Sequence, residues 1–209
     1  MKISTLLCLL LLVITTAAAS DKWPLEPKDF RGVPFGASRD EARAILDPEP
    51  SADITKNLNC PEHFISPDNL KLLPPADRAS WEQLDRERKQ CSQVRDIGLA
   101  STTQTFEFRP ERFVRVSLTF SGDRFEYLRD IFIQRYGPPT ESRVEPFQTR
   151  SGSVFQNSVL TWSGDKVTAQ IQRFSDTIDK GTAFIADKAW LDADTKTRAD
   201  AKKKAATTF

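Results

Sequence analysis

Between positions 102 and 120 the side chains alternate with a period of two, and no other run limits the possible folds as much. Thr102, Gln104, Phe106 and Phe108 fall on one side of a first segment. After a turn at Pro110 to Arg112, Val114, Val116, Leu118 and Phe120 share one side of a second, opposite Arg115, Ser117 and Thr119. Successive side chains leave a pleated backbone on opposite faces, so this pattern describes two half-buried strands. Joined by a short proline turn, they form an antiparallel hairpin, whose apolar face must be covered by another layer.

Two segments have the pattern of that cover. Ser38 and Glu41 are spaced as a capping box, which opens a helix over about Arg39 to Leu46; Pro48 and Pro50 forbid its continuation. After Ser121-Gly122-Asp123, the apolar positions Phe125, Leu128, Ile131, Phe132 and Tyr136 step by three and four. Gly137-Pro138-Pro139 then stops this second helix. Three further strands are expected, within Val154 to Trp162, from Lys166 to Phe174 and from Thr182 to Asp187. The first two meet at the tight turn Ser163-Gly164-Asp165, and Val167, Ala169 and Ile171 share the buried side of the second. The expected fold class is α+β: an antiparallel sheet with two short amphipathic helices packed on one face, without βαβ alternation.

The first residues have the grammar of a secretory signal. Lys2 carries the charge, Ile3 to Ile14 is apolar apart from Ser4 and Thr5, and Ala17-Ala18-Ala19 supplies the small residues a peptidase needs. Residues 1–20 are therefore expected to be a signal peptide, and the protein to be exported, periplasmic or secreted. At about a dozen residues the apolar run is shorter than the roughly 20 of a membrane-spanning helix, so no transmembrane segment is expected. Cys8 lies inside that run, whereas a lipidated cysteine would follow it. Losing Lys2 takes the net charge from +1 to zero. A neutral chain lacks the basic footprint of a nucleic-acid binder, so nucleic acid is not an expected partner.

Removal of the signal leaves Cys60 and Cys91, which in an oxidising compartment are expected to form one disulfide. It would close a loop of about 32 residues, worth roughly 3–4 kcal/mol on chain-entropy grounds. A zinc or redox site lacks its ligands, since there is no C-x-x-C and His63 is the one histidine; no cofactor or metal is expected. The segment 60–91 behaves as a disulfide-bounded insertion within a single α+β domain spanning 21–187. Before it, Asp21 to Lys28 is an extended lead-in and 51–59 is extended. Within it, Ser66-Pro67 opens a single helical turn reaching Leu73. Pro74-Pro75 breaks the chain, and Ala76 to Gln90 is a charged helix with Trp81 and Leu84, its far end tied to Cys60. Residues 188–209 form a charged, mostly exposed C-terminal helix or tail, with Trp190 and Leu191 as its packing residues.

Catalytic chemistry finds little to stand on. A Cys60–His63 nucleophile pair would require a reduced Cys60, and no G-x-S-x-G elbow is present. A carboxylate pair would serve a glycosidase, but Asp40 and Glu41 read as helix-start charges and Glu107 as a solvated strand residue. The mixed run Asp85 to Lys89 and the cluster Lys202-Lys203-Lys204 read as solvated surface. Trp23, Trp81 and Trp190 each fall in a polar stretch; they either pack back on the sheet or mark an interaction surface.

The segment Gly32-Val33-Pro34-Phe35-Gly36-Ala37-Ser38-Arg39-Asp40-Glu41-Ala42 resembles the helix opening of small bacterial envelope proteins of the BamE (SmpA/OmlA) family and of β-lactamase-inhibitor-like folds. Tyr127-Leu128 to Tyr136-Gly137-Pro138-Pro139, ahead of a hairpin carrying Trp162, looks like a second copy of the same unit. The resemblance covers about a fifth of the chain, rests on helix caps and departs from BamE in lacking a lipobox. It implies a tandem helix–strand repeat and a non-enzymatic role in the cell envelope, through binding other proteins, so the partner it implies is a protein. The alternatives are a secreted inhibitor of a hydrolase and a carboxylate-dependent cell-wall hydrolase.

Overall fold

The computed structural model describes residues 23–207 apart from positions 50, 64 and 88; the expected signal at 1–20 lies outside the described residues. Among the described residues the architecture is α+β, a seven-stranded antiparallel sheet with a small two-stranded pair and five α-helices. Two-residue strands β1 (Asp29–Phe30) and β2 (Val33–Pro34) form the small hairpin. Helix α1 (Arg39–Leu46) follows with the capping box in place: Glu41 N–H donates to Ser38 Oγ at 3.3 Å and Ser38 N–H to Glu41 Oε2 at 2.7 Å. It buries Ala42 and Leu46.

Residues 51–59 are not simply extended. Asp53 accepts from the Thr55 N–H and hydroxyl, a local bond that bends the chain into a 3-10 turn at Ile54–Lys56. Helices α2 (Pro67–Lys71, capped by Ser66) and α3 (Pro75–Glu87) then occupy the insertion. Helix α3 stops before Gln90, because a strand, β3 (Lys89–Ile97), begins there. The Cys60–Cys91 disulfide is formed, and it anchors this strand rather than a helix end.

The main sheet runs β3, β4 (Ala100–Phe108), β5 (Phe113–Ser121), β9 (Lys180–Asp187), β8 (Val167–Gln172), β7 (Val154–Ser163), β6 (Glu141–Gln148), every neighbour antiparallel. Helix α4 (Phe125–Tyr136) leads from β5 to β6, and α5 (Lys188–Ala206) follows β9. A register shift at Glu107–Phe108 pairs Phe108 with Phe113, so Phe113 joins the core cluster ahead of Val114.

Register sorts the sheet's side chains into two faces. Cys91, Phe106, Val116, Ile185, Ala169 and Trp162 form one row across six strands, and Gln93, Gln104, Leu118, Ala183, Ile171 and Leu160 the next; all twelve are buried. Helix α4 contributes Phe125, Leu128, Phe132 and Tyr136 to the same cluster, with Phe132 and Trp162 rings 5.9 Å apart. The Trp162 indole N–H donates to Gly137 O at 2.9 Å, where the helix ends on a glycine with φ +78°. Burying one such indole contributes on the order of 5 kcal/mol.

Both sheet edges are guarded. Asn59 and Ser92 exchange two backbone hydrogen bonds of 2.8 Å along β3. On the other edge, β6 carries Glu141, Arg143, Glu145 and Pro146, residues that discourage pairing with another chain.

Candidate binding surface

On the opposite face of the sheet, three rows cross five strands. Glu107, Arg115, Ala186, Thr168 and Ser163 form the first; Thr105, Ser117, Phe184, Gln170 and Thr161 the second; Thr103, Thr119, Thr182, Gln172 and Val159 the third. Apart from Glu107, Ala186 and Val159 these side chains are at least partly exposed. Helix α5, which leaves β9 at the end of this face, buries none of its residues.

The composition of these rows is unusual for this chain. Charged residues make up 28% of the whole, yet across these five strands the rows contain just Glu107 and Arg115, both in the first row; on the edge strand β6 the second and third rows continue into Glu141 and Arg143. The rest are threonine, serine and glutamine with Phe184, Ala186 and Val159. A regular sheet holds these short side chains at fixed spacing, and few rotamers are lost when they are covered. The Arg115 guanidinium sits 4.5 Å above the Phe184 ring centroid. At the far end of the same face Phe147 and Phe155, direct partners on β6 and β7, pack on Phe174 with ring centroids 5.6 and 6.1 Å away. The Asn157 side chain clamps the Phe174 backbone through bonds of 3.1 and 2.8 Å.

The three tryptophans are scattered. Trp23 is 3% exposed: its N–H donates to Tyr136 O at 2.7 Å and its ring meets Tyr136 edge-on at 5.7 Å, so it belongs to the core and not to a surface. The lead-in is thereby part of the domain. Glu26 reinforces it, accepting the backbone N–H groups of Asp165, Lys166 and Val167 at 3.1, 2.6 and 2.5 Å. Trp81 is half-buried on α3. Trp190 is half-buried in the first turn of α5, with the Arg109 guanidinium 5.9 Å from its ring centroid.

Glu107 faces away from Phe106 and Phe108 as the alternation requires, but it is buried rather than solvated, and it forms an ion pair with Arg109. A carboxylate held by a cation differs from the carboxylate pair that glycoside hydrolysis uses. Cys60, being in a disulfide, has no thiolate to offer His63; the His63 Nδ1 instead lies 2.8 Å from Asp85 Oδ2. Among the described residues no helix is long and apolar enough to cross a membrane. Comparison of the chain with protein-family models, curated proteins and solved structures found no match.

Proposed function

We propose that this is an exported, non-enzymatic protein, periplasmic or secreted, that binds another protein in the cell envelope across the charge-poor face of its sheet. The observation that carries the reading is the near-absence of Lys, Asp and Glu from fifteen adjacent positions, most of them accessible, of a chain rich in them. Depletion of Lys, Asp and Glu near an Arg and aromatic side chains is one part of the compositional mark of a protein interface. The Cys60–Cys91 disulfide supports the compartment, since such bonds persist where the surroundings oxidise.

On this reading both amphipathic helices cover the other face. Ala42 and Leu46 of α1 share one cluster with the buried residues of α4, and each helix precedes a run of antiparallel strands, as the resemblance to a tandem helix–strand repeat implies. The test replaces outward residues that have no part in the core. Thr119→Arg and Ser117→Arg should leave the thermal midpoint near that of the wild type while abolishing co-purification of a protein partner from envelope extract. A wild-type chain that returns no partner, or a double variant that keeps it, would refute the proposal.

A further inference from the structure

A second feature lies on the sheet's buried face, independent of the surface just described. Beside α4 is a cavity of about 480 Å³, within the usual range of small-molecule sites. Its walls are apolar, formed by Phe30, Leu118, Phe132 and Tyr136, while four cations line it: Arg31, Lys56, Arg95 and Arg135. Among the described residues Asp96 is the one acidic residue of the lining.

Two of these cations are held by neutral groups. Arg31 Nη1 donates to Gln104 Oε1 at 3.1 Å, and Arg95 Nε donates to Gln93 Oε1 at 3.2 Å. The two amides are joined by a 3.3 Å bond from Gln93 Nε2 to Gln104 Oε1, and Gln104 Nε2 donates to Thr102 Oγ1 at 3.3 Å. Among the described residues no carboxylate pairs with Arg31 or Arg95. Partial desolvation first, and the neighbouring Arg95 charge second, hold the guanidinium of the otherwise exposed Arg31 below its usual range. Glutamine is a costly choice for two fully buried positions on an apolar sheet face. Its use here is explained if the pair positions the guanidinium groups.

The backbone points the same way. Arg31 and Gly32 are the central residues of the β1–β2 hairpin, with φ of +55° and +85°. Asn-Gly is the favoured pair in such a turn, and an arginine there is strained. Strain of this kind concentrates at binding sites, where a side chain is kept in place for a purpose.

We propose that the cavity binds an amphiphile made of one carboxylate and an apolar body. The planar guanidinium forks of Arg31 and Arg95 take the carboxylate, a geometry that arginine matches in two parallel hydrogen bonds. The anion relieves their mutual repulsion, and the aromatic walls cover the apolar part. Calorimetric titration of the intact protein with decanoate, 1-decanol and acetate tests this. Decanoate should bind saturably, one per chain, with decanol and acetate each at least about tenfold weaker. Arg31→Asn, which installs a turn-favouring residue and should not lower the thermal midpoint, and Arg95→Gln should each weaken decanoate at least about tenfold and leave decanol unchanged. The proposal is overturned by a lack of saturable decanoate binding, by equal affinity for decanol or acetate, or by unchanged decanoate affinity in the two variants.

Discussion

Gly181 sits in the middle of the sheet directly opposite Phe120, and the pair makes a sharp test of how the core is packed. A methyl group at Gly181 would lie 2.1 Å from one ring carbon of Phe120 and 2.6 Å from the next. Carbon atoms pack at about 3.5–4.0 Å, so the shortfall is roughly 1.5 Å. The backbones cannot separate to absorb it, because β5 and β9 are hydrogen-bonded to each other and flanked by β4 and β8. Phe120, 3% exposed, must therefore leave its place. Gly181→Ala should cost about 3 kcal/mol, the worth of burying a phenylalanine. Phe120→Ala alone should cost about 4 kcal/mol through the void it leaves. The double variant should cost about 4 kcal/mol rather than the additive 7, because the new methyl then faces vacated space. Urea unfolding followed by far-ultraviolet circular dichroism, with the disulfide intact and equal m-values, measures all three. A Gly181→Ala variant within about 0.5 kcal/mol of wild type, or additive costs in the double variant, would refute the packing argument.

Glu26→Ala should lower stability by about 1–2 kcal/mol in the same assay, since three backbone donors lose one acceptor. Gly164→Ala should destabilise as well, because its methyl would fall 2.4 Å from that carboxylate, and it should do so less in the Glu26→Ala background. Replacing Cys60 and Cys91 together by serine should cost about 3 kcal/mol and speed amide exchange along β3 before the central strands, as read by hydrogen-exchange mass spectrometry. Ser38→Ala should cost about 1 kcal/mol at neutral pH, measured by thermal unfolding. The Ser38 N–H first, and its hydroxyl second, hold the Glu41 carboxyl below its usual value of 4.5. A depressed folded value stabilises above that pH and the benefit fades as pH falls below it, so the gap between wild type and Ser38→Ala should narrow in acid.

The capped helix at Arg39–Leu46, the hairpin around Pro110, the helix stopped at Gly137 and three later strands were all readable from residue pattern, and with them the α+β class. The short pair β1–β2 escaped the reading, and so did two strands of the main sheet, β3 and β6, which are its edges. The β6 residues are mostly exposed on both faces, so no alternation marks them. In β3 the inward positions carry Cys91, Gln93 and Arg95, of which the last two are polar. A strand of this kind is defined by the neighbour it pairs with, not by its own side chains.

The chain by itself determined where helices begin and stop, which strand positions face the core, and which cysteines pair, because each depends on caps, on a period of two or on a count. The tertiary structure decided what lies beside what. It placed Trp23 under Tyr136, gathered threonines and serines from five strands into one charge-poor face, and brought Arg31, Arg95 and Arg135 around one cavity. Those neighbours are far apart along the chain, and the order in which strands pair, a non-local choice, is what joins them.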